Sequence, residues 1–280
     1  MTAAATVILP TTGDRGPLLR RSVASVLRQT VTDLELFVVG DGVSPETRAV
    51  VEELVAADPR VRFVDEPKHQ RRGEPYRHRI LTEEASGTIV AYLCDRDLWL
   101  PTHLEELARC LDDADFGHTL RFRVEDGDVF SFTHTADLSG PDRVRRDQLP
   151  RLLPLSFAGH TLDAYRRLPH GWRATPPDQQ TDRFMWDQFL DQPWVRTAAS
   201  PMPTALSFKR GDHPGLSTPE RLVLLERWWP RIADADGAAA VQRDVLLALW
   251  RAWRAAELSA PKPGRWRSAP RWLRRQLAGR

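Results

Sequence analysis

The segment Tyr92-Leu93-Cys94-Asp95-Arg96-Asp97-Leu98-Trp99-Leu100-Pro101 decides the fold of this chain. An apolar strand runs directly into two carboxylates, and a proline that is typical of a helix start follows. Two aspartates at a strand end are suited to hold a divalent cation against phosphate oxygens. The Asp-x-Asp spacing is weak evidence alone, because polar surface loops carry such pairs by chance. The preceding residues therefore have to supply the context.

The first hundred residues alternate apolar runs with helical patterns. The predicted strands are 6–10, 34–39, 61–64 and 88–93. Strands that alternate with helices at this spacing predict a parallel sheet with helices on both faces. Ligands bind such sheets beyond the carboxyl ends of the strands. Because Thr11, Asp41 and the pair Asp95 and Asp97 follow three of these strands, we expect them to meet at one crevice.

The composition is that of an ordinary globular protein. The chain has 280 residues, of which 41% are apolar, and its net charge of +2 predicts no general attraction to nucleic acid. Cys94 and Cys110 are too few for a disulfide framework. The sequence opens without a signal-peptide pattern and has no apolar run near the ~20 residues of a membrane helix. We therefore expect a cytoplasmic protein.

Four segments together resemble the nucleotide-binding half of a family 2 glycosyltransferase of the GT-A fold. They are Val7–Thr11, Ser22–Thr30, Leu36–Gly42 and Val90–Pro101. Their order and spacing are more specific than any one of them. The resemblance implies a Rossmann-like mixed α/β sheet with helices on both faces, a nucleotide diphosphate sugar as donor, with a UDP-sugar expected, and a Mg²⁺ or Mn²⁺ cofactor.

The resemblance also implies roles for individual residues. Pro10 and Thr11 fall in the nucleotide-binding segment after the first strand, and Asp41 corresponds to the aspartate that hydrogen-bonds the nucleobase. Asp97 corresponds to the metal ligand, and Asp95 to a ribose or metal partner. Which of the two is the principal metal ligand stays open.

The chain departs from the family pattern at the fourth strand. Cys94 and Arg96 occupy positions that are commonly acidic in the family. Arg96 would either offset diphosphate charge or point into solvent. Arg77 is the first candidate for a phosphate contact in the basic stretch before this strand, although such charge runs usually form a solvated face. His160 is a candidate for the metal shell or the diphosphate, and a hydrogen-bonded structural histidine is the alternative.

The second half of the chain is expected to hold the acceptor and the general base. By its position after a proline-rich loop, Asp182 resembles the carboxylate with which inverting family members remove the acceptor proton, and Asp187 is the reserve candidate. The alternative for Asp182 is a helix-capping carboxylate. The runs 119–124 and 129–133 predict a hairpin that extends the sheet, and residues 137–151 predict a surface loop.

The predicted organisation is a catalytic domain over residues 1–215, followed by a helical extension over residues 216–280. The catalytic domain divides into a nucleotide-sugar half, 1–112, and an acceptor half, 113–215. In the extension, apolar spacing predicts two amphipathic helices joined by a turn around Asp236-Gly237. The tail after them interleaves tryptophan with arginine, a composition that suits peripheral contact with the inner face of a membrane, and a disordered or self-packed terminus is the alternative.

The sequence therefore predicts a metal-assisted, inverting glycosyltransferase that acts on a hydroxyl of a glycan, lipid-linked or small-molecule acceptor. A sugar-phosphate nucleotidyltransferase is the first alternative, and Gly13-Asp14-Arg15-Gly16 is only a faint form of the phosphate loop that such an enzyme requires. A non-catalytic nucleotide-sugar-binding scaffold is the second.

Overall fold

The computed structural model describes residues 3–132, 153–208 and 215–259. The strands are β1 (Ala5–Gly13), β2 (Leu34–Val43), β3 (Val61–Glu66), β4 (Ile89–Tyr92), β5 (Leu98–Trp99), β6 (Phe116–His118), β7 (Arg123–Val124), β8 (Phe130–Ser131), β9 (Ala158–Thr161), β10 (Thr197–Ala199) and β11 (Ala205–Leu206). The α-helices are α1 (Gly16–Leu27), α2 (Pro45–Ala57), α3 (Glu74–Arg79), α4 (His103–Leu111), α5 (Leu162–Arg166), α6 (Thr181–Leu190), α7 (Thr218–Trp228) and α8 (Ala235–Ser259).

A seven-stranded mixed sheet forms the centre of the molecule, in the order β10-β6-β9-β4-β1-β2-β3. Strands β1, β2, β3 and β4 are parallel, as the alternating pattern predicts. Strand β9 is antiparallel to both β4 and β6, which makes the sheet mixed. The fold expected from the sequence is therefore confirmed.

Apolar side chains from both faces of the sheet fill two buried clusters. Along β1, Val7 and Leu9 face the cluster that includes α1, whereas Ile8 faces the cluster that includes α6. This alternation follows from the period of two in a strand. Because both faces are covered, the central strands β1, β2 and β4 are mostly apolar, and the cleft residues lie at their carboxyl ends.

Local signals set the boundaries of several helices. Ser44 caps α2, its hydroxyl accepting a hydrogen bond from Thr47 N, and Pro45 occupies the first turn. Ser217 and Glu220 form a reciprocal capping box at the start of α7. The helix predicted before the fourth strand is α3 continued by a π-helical turn, Ile80–Glu84.

Two details differ from the expectations. The predicted hairpin exists as β7 and β8, but it forms its own two-stranded sheet, because the chain between β6 and β7 leaves the central sheet. The turn between the last two helices precedes Asp236-Gly237, and these residues lie in the first turn of α8.

The C-terminal helices pack against the part of the molecule that contains the central sheet. Leu225 and Trp228 of α7 and Val245 of α8 belong to the same buried cluster as Val7 of β1. Among the described residues, no helix combines the length and the apolar character that a bilayer crossing requires. The basic tail and the predicted loop at 137–151 lie outside the described residues. Helix α8 ends at Ser259, which is the last residue that the structure describes.

Candidate active site

A cleft of about 570 Å³ opens at the carboxyl ends of β1, β2 and β4. Its size is within the usual range for small-molecule sites. The structure brings seven of the predicted site residues to its wall, namely Pro10, Thr11, Asp41, Arg77, Asp95, Asp97 and Asp182. His160 and Asp187 are not part of that wall.

Asp41 lies near the end of β2 beneath the loop that follows β3. Its carboxylate forms an ion pair with Lys68 Nζ and accepts a hydrogen bond from the backbone N–H of His69. Gly42 permits this approach, because it has a φ of +66° and a Cβ added there would lie 2.5 Å from Lys68 Cβ. The close approach of β2 to the loop after β3 therefore positions the charges of Asp41 and Lys68 at the cleft.

Asp95 is buried in the turn after β4 and links it to β1. Its Oδ1 pairs with Arg15 Nη1 at 2.9 Å, and its Oδ2 accepts a hydrogen bond from Thr11 Oγ1 at 3.1 Å. The hydroxyl of Ser22 in α1 also donates to the backbone carbonyl of Asp95 at 2.9 Å. The turn is thus held to β1 and α1 by polar contacts.

Asp97 is buried two residues further on. Its Oδ2 accepts a hydrogen bond from Ser156 Oγ at 2.6 Å, and its Oδ1 accepts one from the backbone N–H of Phe208 at 3.2 Å. Burial raises the pKa of Asp97, and the nearby Arg96 opposes that shift. Burial also raises the pKa of the Cys94 thiol to about 12, so this cleft-lining group is a neutral thiol at physiological pH.

Arg77 of α3 is buried in the cleft wall. Its guanidinium lies over the Trp172 ring at 4.1 Å from the ring centroid, and Nη2 donates to the backbone carbonyl of Arg72 at 2.8 Å. Burial lowers the pKa of Arg77, while the neighbouring carboxylates of Glu74 and Asp182 raise it. An aromatic platform and one carbonyl therefore hold this cation in a defined position.

Asp182 lies in the first turn of α6, on the cleft. Its Oδ2 accepts a hydrogen bond from the backbone N–H of Leu155 at 3.2 Å, so its carboxylate is held toward the turn that leads into β9. Asp187 lies more than one turn further along α6, where it pairs with Arg183 at 3.4 Å. Of the two candidates for the base, Asp182 lines the cleft and Asp187 does not.

His160 lies in the core, in the middle of β9. Its Nδ1 bonds the carbonyl of Thr161 at 2.9 Å, and its Nε2 bonds the hydroxyl of Tyr92 at 2.7 Å. A carbonyl only accepts, so Nδ1 carries the proton and Nε2 accepts from Tyr92. Burial lowers the pKa of His160 to about 4. The structure therefore places His160 as a hydrogen-bonded structural histidine, away from the cleft.

The donor set of the cleft does not suit the divalent cation that the resemblance implies. Each oxygen of Asp95 and of Asp97 already accepts a hydrogen bond, and Asp95 is also neutralised by Arg15. Within residues 3–132, 153–208 and 215–259, no three histidine, cysteine or acidic side chains cluster as metal ligands would. A hard cation prefers several carboxylate or carbonyl oxygens at short range.

Three cleft residues were missed by the sequence reasoning. Arg15 pairs with Asp95, and Arg121 and Arg123 also line the cleft. The signal for the latter two is the alternation of Leu120, Phe122 and Val124, which enter the core, with the arginines between them.

Comparison with known proteins agrees with this architecture. Residues 6–170 match the family model described as Glycosyl transferase family 2. The structure of TarS from S. aureus superposes with a TM-score of 0.58 at 17% identity, over 80% of this chain and 38% of TarS. TarS 1-349 in complex with UDP-GlcNAc gives 0.56 at 14% identity, over 92% of this chain and 76% of that one.

A mannosyltransferase provides the third comparison. PcManGT from Pyrobaculum calidifontis, solved in complex with GDP-Man and Mn²⁺, gives a TM-score of 0.56 at 16% identity, over 99% of this chain and 80% of that one. At such identities the structural likeness shows the fold, whereas the family model covers more than half of the 280 residues. The chain therefore belongs to glycosyl transferase family 2.

Proposed function

We propose that this protein transfers a sugar from a nucleoside diphosphate sugar to an acceptor hydroxyl, with inversion at the anomeric carbon. One observation carries the proposal: Asp41, the Asp95 turn, several arginines and Asp182 line a single cleft at the strand ends. A nucleotide needs a polar group for its base and cations for its diphosphate, and the acceptor needs a base. The cleft offers all three.

The orientation of the donor follows from the positions of these groups. The nucleobase lies against Asp41 at the end of β2, and the ribose lies against Thr11 and Asp95. The diphosphate then extends toward the basic side chains of the cleft, which include Arg77 and Arg121. The sugar is directed toward Asp182. A UDP-sugar is the donor that the resemblance implies, and the complexes of neighbouring structures with UDP-GlcNAc and GDP-Man support the nucleotide-sugar class.

The chemical step requires one carboxylate and cationic groups near the leaving oxygen. The acceptor oxygen attacks the anomeric carbon while Asp182 takes its proton, and the bond to the diphosphate breaks with its electron pair moving to the phosphate oxygen. The leaving group gains negative charge, which nearby guanidinium groups stabilise in a partly enclosed cleft. No step of this proposal passes through Mg²⁺ or Mn²⁺, because the described donor set does not suit either ion.

A matched pair of variants on one helix tests the proposed base. Asp182→Asn should lower the rate of sugar transfer on the order of 10²- to 10⁴-fold, because the acceptor loses its proton acceptor. Asp187→Asn should leave the rate near wild type, because this side chain is outside the cleft wall. Binding of UDP, followed by calorimetry, should be retained in both variants.

The products distinguish this function from the two alternatives. A glycosyltransferase releases a nucleoside diphosphate, whereas a nucleotidyltransferase releases pyrophosphate. A scaffold binds the nucleotide sugar without turnover. Donor consumption should therefore be followed with phosphorus NMR over a panel of UDP- and GDP-sugars, and pyrophosphate as the product would overturn the proposal.

A further inference from the structure

The cleft wall carries more positive than negative side chains. The eight basic members are Arg15, Lys68, Arg71, Arg72, Arg77, Arg96, Arg121 and Arg123, and the four acidic members are Asp41, Asp95, Asp97 and Asp182. Each of the four carboxylates already accepts a hydrogen bond or an ion pair from the protein. The excess charge of the cleft is therefore positive, and it favours an anionic ligand.

Arg121 is a buried cation with N–H groups that lack hydrogen-bond acceptors among the described residues. Its side chain belongs to a residue that is only 4% exposed, and its Nε and Nη1 have no hydrogen-bond partner among the described residues. Burial, and to a lesser extent the nearby Arg123, lower the pKa of Arg121 to about 10, so the guanidinium stays protonated near neutral pH. A buried charge with unpaired N–H groups is costly unless a ligand pairs with it.

The backbone directs Arg121 and Arg123 to the same side. Residues 120, 122 and 124 enter the apolar core, so the two arginines between them face the cleft. Arg71 and Arg77 also line the cleft, and their buried Nε atoms likewise have no partner within the described part of the chain. Several guanidinium groups thus line the same cleft. A diphosphate with oxygens on both of its phosphorus atoms matches this arrangement, since planar guanidinium groups bind phosphate through paired hydrogen bonds.

We propose that guanidinium groups, with Arg121 as the principal one, bind the donor diphosphate in place of a divalent cation, so that donor binding and transfer need no added metal. This inference rests on the proposed function, because it assumes a nucleoside diphosphate sugar in the cleft. The bond changes are those given for that function. The positive charge that stabilises the departing diphosphate comes from side chains of this chain.

The test measures binding of UDP and GDP by isothermal titration calorimetry, with the chelator EDTA and, separately, with excess MnCl₂ or MgCl₂. The wild-type dissociation constant should change by less than about threefold between these conditions, and Arg121→Gln should weaken binding by about tenfold or more in EDTA. Arg243→Gln is the control, because this arginine lies on α8 with a side chain that is 69% exposed, and its binding should match wild type.

Arg121→Lys adds a test of geometry, since lysine keeps the charge and loses the planar fork. It should bind more weakly than wild type and more tightly than Arg121→Gln. If Arg121→Gln does not fold, as judged by its thermal transition, Arg123→Gln replaces it, because Arg123 is only half-buried.

The outcomes separate the two proposals. Binding that is lost in EDTA and restored by Mn²⁺ or Mg²⁺ would overturn the arginine inference and leave the proposed function intact. Unchanged binding in Arg121→Gln and Arg123→Gln would also overturn the inference. Failure of the wild type to bind either nucleotide under all conditions would overturn the proposed function itself, and the inference with it.

Discussion

The hydroxyl of Ser156 donates a hydrogen bond to Asp97 Oδ2 at 2.6 Å and accepts one from the backbone N–H of Cys94 at 3.0 Å. One small side chain therefore joins the end of β4 to the carboxylate two residues into the following turn. Asp97 is buried, so its charge depends on such donors. Ser156 belongs to the single-turn helix Leu155–Phe157, directly before β9.

We expect Ser156→Ala to lower the free energy of unfolding by about 1–3 kcal/mol, because it leaves a buried carboxylate oxygen and a part-buried N–H without this partner. Urea denaturation followed by tryptophan fluorescence measures the change. Ser259→Ala is the control, since that hydroxyl bonds the Ala255 carbonyl on the exposed end of α8 and its loss should cost less than about 0.5 kcal/mol. Equal losses in the two variants would contradict the role given to Ser156.

The central strands could be predicted from the sequence, whereas the short ones could not. Strands β1 and β2 are mostly apolar and buried because both faces of the sheet are covered there. Strand β9 reads Ala-Gly-His-Thr, which has almost no β-forming signal, and β5 has two residues. Their pairing depends on contacts between distant segments, and local propensity does not encode such contacts.

The residues of the site also divide into those that the sequence predicts and those that it does not. Asp41, Asp95 and Asp97 follow strand ends, so the topology alone places them near one another. Arg121 and Arg123 alternate with apolar residues, a pattern that is equally typical of a solvent-facing strand. Only the three-dimensional arrangement shows that this polar face is the wall of a cleft. Likewise, the core position of His160 follows from the pairing of β9 with β4 and β6, which the sequence does not reveal.

Gly42 provides a second prediction, which concerns the end of the cleft at Asp41. Gly42→Ala places a methyl group 2.5 Å from Lys68 Cβ and forces a side chain onto a φ of +66°. The loop that carries Lys68 should move away from Asp41. We expect a loss of about 1–3 kcal/mol in the free energy of unfolding from the strained backbone, and weaker UDP binding besides.

Gly127→Ala is the matched control for this prediction. Gly127 has a similar φ of +71°, but an added Cβ there meets nothing within 4 Å among the described residues. Calorimetry should find wild-type UDP binding in this variant, although the backbone strain is comparable. If Gly42→Ala also binds UDP normally, the contact between Gly42 and Lys68 does not shape the cleft.

The buried histidines predict how stability depends on pH. Burial lowers the pKa of His103 to about 3 and that of His160 to about 4, while an unfolded histidine titrates near pH 6.5. Between these values the unfolded chain binds more protons than the folded chain. The free energy of unfolding should therefore fall as the pH is lowered from about 7 to about 5, by roughly 2 kcal/mol for each histidine.

His103→Phe tests the pH prediction, because phenylalanine does not titrate and keeps a ring against Trp99. The rings of Trp99 and His103 are stacked, with 4.2 Å between their centroids. Urea denaturation at several pH values should show a pH-dependent loss that is about 2 kcal/mol smaller than in the wild type. The slope with pH is the readout, so a general change in stability does not affect the conclusion. An unaltered slope would show that His103 is protonated in the folded protein.

The last prediction concerns whether the C-terminal helices are an appendage or part of the fold that is built on the central sheet. Trp228 of α7 is fully buried and packs against Phe208 and Phe130, whereas Trp250 of α8 is 58% exposed. Trp228→Ala should lower the free energy of unfolding by about 3–5 kcal/mol, because it opens a cavity in the cluster that also contains β1. Trp250→Ala, with the same change in side chain, should cost less than about 0.5 kcal/mol.

Urea denaturation followed by far-ultraviolet circular dichroism measures both variants, and a single transition shifted in Trp228→Ala is the expected result. A separate extension would unfold by itself, and Trp228→Ala would then split the transition while the main one kept its midpoint. The expected single shift follows from the contacts of α7. Arg221 of α7 is buried, and burial lowers its pKa, while the charges of Asp95 and Asp97 act in the opposite direction. Loss of α7 packing should therefore disturb the structure of the cleft as well as that of the core.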